Sequence, residues 1–214
     1  MSAKDPKTIR EAVLKAALLE LAREGFNDEV LARAGKKAGF KPIEVNSAFP
    51  HGAASLVEEF SHWADARMSA KMKASKEKGM TARIKAAVRA RIEAVAPHKE
   101  AVRRGTAFLA LPPHAALGVK LIYRTVDAMW RAAGDRSTDF NFYTKRATLA
   151  GVYGATLLYW LGDESKDNKN TWSFLDHRLA DVMTFERFKK SARETMAKLP
   201  DPLGLFAARR EGKR

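Results

Sequence analysis

The sequence predicts an all-α protein, and three observations carry that prediction. Alanine, leucine, lysine and arginine dominate the chain. Apolar residues recur at spacings of three and four, and no run of β-branched residues offers a strand. Glycines and prolines fall where such periodic stretches should stop or start. The 214 residues allow one large domain, or a small head on a larger body.

The first helix is expected to begin near Pro6, a residue tolerated in a first helical turn, with Ile9, Val13, Ala16, Ala17, Leu18 and Leu21 on its buried face and Gly25 at its end. Asn27 or Asp28 then caps a short helix that ends near Ala38 and is closed by Gly39. Pro42 to Ala48 makes another short helix, broken at Phe49-Pro50. Two short helices joined by a glycine turn and docked on a preceding helix form a helix-turn-helix. From Gly52 a longer helix turns Leu56, Val57 and Phe60 inward.

The stretch from Ser61 to Arg104 is strongly basic and is divided by Gly79. Its second helix has a core stripe of Ile84, Val88, Ile92 and Val95. Arg83, Lys85, Arg89 and Arg91 occupy its other faces, which read as a solvated surface. Pro97 interrupts this helix, one from about Lys99 to Leu109 follows, and Pro112-Pro113 introduces the next stretch.

Leu121 to Trp160 reads as a helical hairpin of two apolar, aromatic-rich helices around the polar break GDRST. Gly134 suits a helix end, Ser137 or Thr138 the next cap, and Asp139 a first turn. The second helix of the hairpin has one stripe of Tyr143, Ala147, Ala150, Gly154, Leu157 and Leu161, and another of Phe142, Leu149, Tyr153, Thr156 and Trp160. A helix that is apolar most of the way round is either buried or serves two partners. It is therefore a central core helix, or one whose stripes face a lipid cavity and another protein. Phe142 stands beside Asn141, Lys145 and Arg146, at a wet end where a core ring is not expected.

After the polar loop LGDESKDNKN, a helix with Trp172, Leu175, Leu179 and Val182 facing in is expected. The tail then places Phe185, Phe188, Ala192, Thr195, Met196 and Leu199 on one face, opposite Arg187, Lys189, Lys190, Arg193 and Lys198, with Leu203 and Phe206 after the PDP break. Basic residues opposite aromatics predict an interfacial helix on anionic lipid, with Phe185, Phe188, Lys189, Lys190, Met196, Leu199, Leu203 and Phe206 as its membrane-binding residues. The competing expectation is a helix packed on its own domain or on a dimer mate. The expected organisation is a helix-turn-helix region over 1–50, a helical ligand-binding bundle over 51–184, and a basic amphipathic tail over 185–214.

A net charge of +14 and a pI near 10.1 call for an anionic partner: nucleic acid, an acidic membrane surface or an acidic protein. With no cysteine, disulfides and thiolate metal sites are excluded. No run approaches the roughly 20 apolar residues of a membrane span. The first residues lack the apolar stretch of a secretory signal, which predicts a cytoplasmic protein or a mature organelle form.

The search for catalytic residues predicts no enzyme, no cofactor and no metal. Of five scattered histidines, Glu59 and His62 form one Glu-x-x-His, whereas a carboxylate-bridged di-iron bundle needs two. Asp176-His177 lacks a nearby nucleophile, and there is no glycine-rich phosphate loop or nucleophile elbow. For DNA, the second short helix should present base readers. Only Asn46 and Ser47 qualify, Glu44 opposes phosphate, and Lys36, Lys37 and Lys41 could hold it. DNA binding is poorly equipped.

The segment AGKKAGF…AFPHGAASLVEEF resembles the N-terminal domain of TetR-type regulators. RIEAVAPHKEAVRRGTAFLALP, LIYRTVDAMWRAAGDRSTDFNFYTKRATLAGVY and TWSFLDHRLADVM are similar to the Coq-nine family of ubiquinone biosynthesis, from about Ile9 to Met183, with GDRSTDFNFYTKR its most specific motif. The resemblance implies a TetR-like helical fold that binds isoprenoid or quinone lipid, or phospholipid, instead of regulating genes. It further implies an accessory role presenting quinone intermediates to the demethoxyubiquinone hydroxylase of the Coq-seven family, a di-iron enzyme. The family's surface for that partner corresponds to Met129, Asp139, Phe142, Tyr143 and Arg146, where Phe142 replaces a more usual Trp. A cavity lined by Phe108, Leu109, Leu121, Val126, Trp130, Tyr153 and Leu157 would suit a polyprenyl chain. The expected assembly is a homodimer on the inner membrane, at its cytoplasmic face in a bacterium or its matrix face in a mitochondrion. The alternative is a ligand-responsive, DNA-binding TetR-type regulator.

Overall fold

Local capping chemistry sets the helix boundaries. In this computed structural model, which describes residues 5–135 and 140–197 without the side chains of 140, 141 and 185–197, α1 (Pro6–Glu24) starts where Asp5 accepts the Lys7 N–H at 3.1 Å and stops at Gly25. The Asn27 side chain accepts the Val30 N–H at 2.8 Å to open α2 (Asp28–Lys37). Gly39, at φ +79°, turns the chain into α3 (Pro42–Ala48). Among the described residues no strand occurs.

Helices α1, α2 and α3 make the expected helix-turn-helix. Gly35 of α2 has no side chain because α3 leaves no room: a Cβ there would lie 2.5 Å from Val45 Cγ2. Arg10 of α1 donates to the Ala48 carbonyl at 2.7 Å and ties down the end of α3. The buried face of α1 is wider than the sequence predicts. Leu14 is buried while Ala16 and Leu18 are half-buried, because α1 is packed by α2, α3, α4 and α6.

Helix α4 (Ala53–Lys73) begins on the Asp28 carboxylate, which accepts the Ala53 N–H at 2.7 Å. It packs against α1, α2, α5 (Met80–Val95) and α7 (Ala115–Ala132), with Leu56, Val57, Phe60, Ala64 and Met68 inward. The stripe Ile84, Val88, Ile92 and Val95 of α5 is buried as expected. Arg91 is a correction: it is buried at 6% exposure, and its Nε donates to Asp65 Oδ1 at 2.6 Å. A carboxylate on α4, one helix away, makes burial of this guanidinium tolerable.

Short 3-10 turns at Ala96–His98 and Pro112–His114 bound α6 (Lys99–Ala110), which packs on α1 and α7. The expected hairpin is α7 and α8 (Phe140–Gly162). On α8 the stripe Leu149, Tyr153, Thr156 and Trp160 is buried and Phe142 half-buried. The other stripe is open: Tyr143 and Ala147 are exposed, Ala150, Gly154 and Leu157 half-buried, and only Leu161 is covered.

Asp163 closes the loop after α8. Its carboxylate accepts the Ser165 N–H, the Thr171 N–H and the Thr171 hydroxyl at 2.9, 2.8 and 2.6 Å. Burial raises the Asp163 pKa, but these hydrogen bonds outweigh it and hold the carboxyl well below the usual range. Helix α9 (Lys169–Ala197) follows without a break. The chain divides into two compact units within it, Met1–Leu175 and Asp176–Arg214. In the first, Leu175 is buried and Phe174 stacks on Tyr159 at 4.5 Å. In the second, Arg178 pairs with Asp181 at 2.8 Å and the Thr184 hydroxyl donates to the Ala180 carbonyl.

Candidate lipid cavity and partner face

Helices α4 to α8 surround a cavity of about 330 Å³. Its wall is mainly apolar, with Val57 and Phe60 from α4, Val102 and Leu109 from α6, Leu121 and Ile122 from α7, and Leu157 from α8. Small residues make the room. Gly105 and Gly118 line it, and Gly118 lets α6 approach closely: a Cβ there would lie 3.4 Å from the Leu109 Cβ and carbonyl.

Of the seven residues predicted to line a lipid cavity, Leu109, Leu121, Tyr153 and Leu157 do so. Phe108, Val126 and Trp130 do not. Phe108 stacks on His114 with ring centres 3.9 Å apart. Val126 is fully buried, and its neighbour Thr125 takes the lining position. The Trp130 indole donates to the Lys145 carbonyl at 3.3 Å, so it clamps α7 to α8. Each miss lies one residue, or about 100° of helix, from a residue that faces the cavity or serves a different contact.

The sequence prediction also missed a polar end to the cavity. Ser61, Arg91, Thr125 and Tyr153 line it, over Asp65. The Thr125 hydroxyl donates to Asp65 at 3.0 and 3.1 Å, and Arg91 Nη2 reaches Ser61 Oγ at 3.4 Å. Burial pushes the Tyr153 phenol up, so it keeps its proton near neutral pH. Asp65, Arg91 and Thr125 lie on three helices, and nothing in one helix's period brings them together.

The residues implied for a partner surface separate into two groups. Tyr143 is 65% exposed, and Phe142 is half-buried. The ring at the wet end is therefore Tyr143, while Phe142 lies under the Arg146 guanidinium, 3.3 Å from its ring centre, and meets Tyr143 edge-on at 5.1 Å. Met129 and Arg146 are buried, so they support this face and do not form it. Arg146 Nε donates to Asp127 at 2.7 Å, and Nη1 donates to the Phe142 carbonyl and lies 3.7 Å from Asp135. Asp139 lies outside the described residues. So do the side chains of Phe185, Phe188, Lys189, Lys190 and Met196, and all of Leu199, Leu203 and Phe206. Among the described residues no single helix is long and apolar enough to cross a membrane.

Glu59 and His62 line a separate groove with Arg10, Trp63 and His98. Burial, then Arg124, lowers the His62 pKa, and burial raises that of Glu59. Among the described residues no three potential ligands gather to hold a metal. On α3, Glu44 accepts the Lys41 N–H at 2.7 Å and so occupies the helix N-terminus, while Lys36, Lys37, Lys41, Asn46 and Ser47 are exposed.

Comparison with known proteins bears on this geometry. The COQ9 family model matches residues 115–186. The chain is 32% identical to "Ubiquinone biosynthesis protein COQ9, mitochondrial" of Rattus norvegicus, over 87% of this chain and 62% of that protein. It is 30% identical to "Ubiquinone biosynthesis protein COQ9-B, mitochondrial" of Xenopus laevis, over 87% and 67%. The chain spans about three-fifths of the length of the rat and bovine relatives it matches. A crystal structure of the TetR transcriptional regulator from Nitrosomonas europaea ATCC 19718 superposes with a TM-score of 0.64 at 22% identity, covering 81% of this chain and 97% of that one. That likeness shows a TetR-like fold.

Proposed function

This chain belongs to the COQ9 family, and on that premise we propose that it is a non-enzymatic, lipid-binding accessory protein of ubiquinone biosynthesis. One observation carries the reading: an apolar cavity among α4 to α8 with exposed apolar residues at its mouth. Val119 is 71% exposed there, beside Ile122. Ligand sites are mostly apolar with a few placed polar groups, and roughly 300 Å³ is the small end of their range. The cavity therefore takes part of an isoprenoid or quinone lipid, or of a phospholipid, and leaves the remainder of a long tail outside.

The aromatic pair Phe142–Tyr143, stiffened by Arg146, is the anchor for the demethoxyubiquinone hydroxylase of the Coq-seven family, because a held aromatic beside charges loses little freedom on docking. The basic tail over 185–214 holds the protein on an anionic membrane. The rest of the open stripe of α8, at Ala147, Ala150 and Gly154, supports a homodimer. The mitochondrial names of the relatives support a mitochondrial location, and the membrane proposed there is the matrix face of the inner membrane. The regulator alternative has less support, since Glu44 places a carboxylate where α3 would meet phosphate.

Native mass spectrometry of protein purified from a ubiquinone-producing host tests the lipid reading. A co-purified isoprenoid or phospholipid is expected, and an empty protein that also fails to take up added quinone would refute it. Sequence-specific DNA retardation at nanomolar protein would favour the regulator.

A further inference from the structure

Two hydrogen-bond donors at the polar end of the cavity have no acceptor among the described residues. Tyr153 is 4% exposed and lines the cavity, yet its hydroxyl makes no hydrogen bond to any described residue. Arg91 uses Nε on Asp65 and Nη2 on Ser61, and Nη1 makes none among the described residues. Both residues line the cavity, so these donors are open to a ligand oxygen there, and a hydrogen bond made in such a desolvated site is favourable. Here both border the same space. The apolar part of the lining reaches the surface at Val119 and Ile122, which are 71% and 39% exposed.

We propose that Tyr153 and Arg91 form an anchor for a neutral, hydrogen-bond-accepting oxygen on the head of the bound lipid, so that the head enters first and the tail leaves past Val119 and Ile122. This assignment rests on the lipid-binding reading and adds the orientation and head chemistry. Charge selects the class of head. Asp65, 2.6 Å from Arg91, already neutralises the guanidinium, and Thr125 also satisfies that carboxylate. A phosphate would leave an uncompensated negative charge in a buried site, which is strongly unfavourable. A quinone carbonyl or a methoxy oxygen brings no charge and accepts from both donors. The gradient of exposure, from Tyr153 and Thr125 at the floor to Val119 at the rim, sets the direction.

The test uses the full chain and three probes: ubiquinone with two isoprene units, an oxygen-free prenyl hydrocarbon of matched length, and short-chain phosphatidylcholine. Tyr153→Phe removes only the hydroxyl, which has no hydrogen-bond partner among the described residues, so the fold stays intact. Binding, followed by tryptophan fluorescence, is expected to weaken about tenfold for the quinone and to stay unchanged for the other two. The infrared carbonyl stretch of the bound quinone is expected to return towards its value in apolar solvent. Equal weakening for the quinone and either other probe, or unchanged quinone affinity, overturns the proposal. Leu109→Trp, which fills the cavity, separates the two levels of inference. If it abolishes quinone binding while Tyr153→Phe has no effect, the lipid reading stands and the anchor falls. If the unaltered protein binds none of the probes, both fall.

Discussion

Arg146→Ala removes the cation that underlies the proposed partner face. In the structure Arg146 is 2% exposed, its Nε is 2.7 Å from Asp127, its Nη1 is 3.2 Å from the Phe142 carbonyl, and its guanidinium covers the Phe142 ring. Taking one partner out of a buried ion pair costs about 3–5 kcal/mol, because the remaining charge is left uncompensated. The lower edge applies here, since Asp127 keeps Arg131 at 2.7 Å and Asp135 keeps Lys145 at 3.0 Å. A loss of about 3 kcal/mol lowers Tm by roughly 6–12 °C in a chain of this size. Thermal melting followed by circular dichroism reads this directly. Tyr143→Ala is the control: it removes an exposed ring and should change stability by no more than about 0.5 kcal/mol. A melting temperature for Arg146→Ala within 2 °C of the unaltered protein, a limit set below the shift of about 1 kcal/mol, would refute the clamp.

Tyr143→Ala is expected to weaken capture of the hydroxylase at least tenfold, an effect of about 1.4 kcal/mol, with melting unchanged; full capture would remove this ring from the partner face. Deleting residues 185–214 should reduce flotation with anionic liposomes, and unchanged flotation would take the tail out of membrane binding. Asp163→Asn is expected to destabilise the protein by about 2 kcal/mol near neutral pH by weakening its charged hydrogen bonds. Because the folded pKa of Asp163 is depressed, its contribution is present above the ordinary carboxylate value and is lost as pH falls below about 4. The stability gap between the two proteins should therefore narrow steadily as pH falls from about 4, and a gap as wide at about pH 2 as near neutral pH would contradict this role.

What was legible in the chain was local. Pro6, Asn27, Gly39, Pro42 and Gly134 act on the backbone within a turn of themselves, so helix starts and stops followed from residue type. The stripes of α5 and α8 followed too, because a period of 3.6 fixes which residues share a face. The periodicity could not say which face met the core. The stripe through Leu149 and Tyr153 is covered and the stripe through Tyr143 is open, although both are equally apolar in sequence.

The sequence by itself determined the all-α class, the helix-turn-helix, the helical hairpin and the family, since each rests on short-range capping, periodicity or a contiguous motif. Only the tertiary structure decided where charge and space lie. Arg91 read as solvated until Asp65, 26 positions away, came within 2.6 Å of it. Thr125 joined the same cluster from 60 positions away. The cavity depends likewise on which of two adjacent residues, Phe108 or Leu109, points at helices brought in from elsewhere in the chain. Burial energies and ion pairing act through space, so a polar floor built from α4, α5, α7 and α8 has no signature in any one of them.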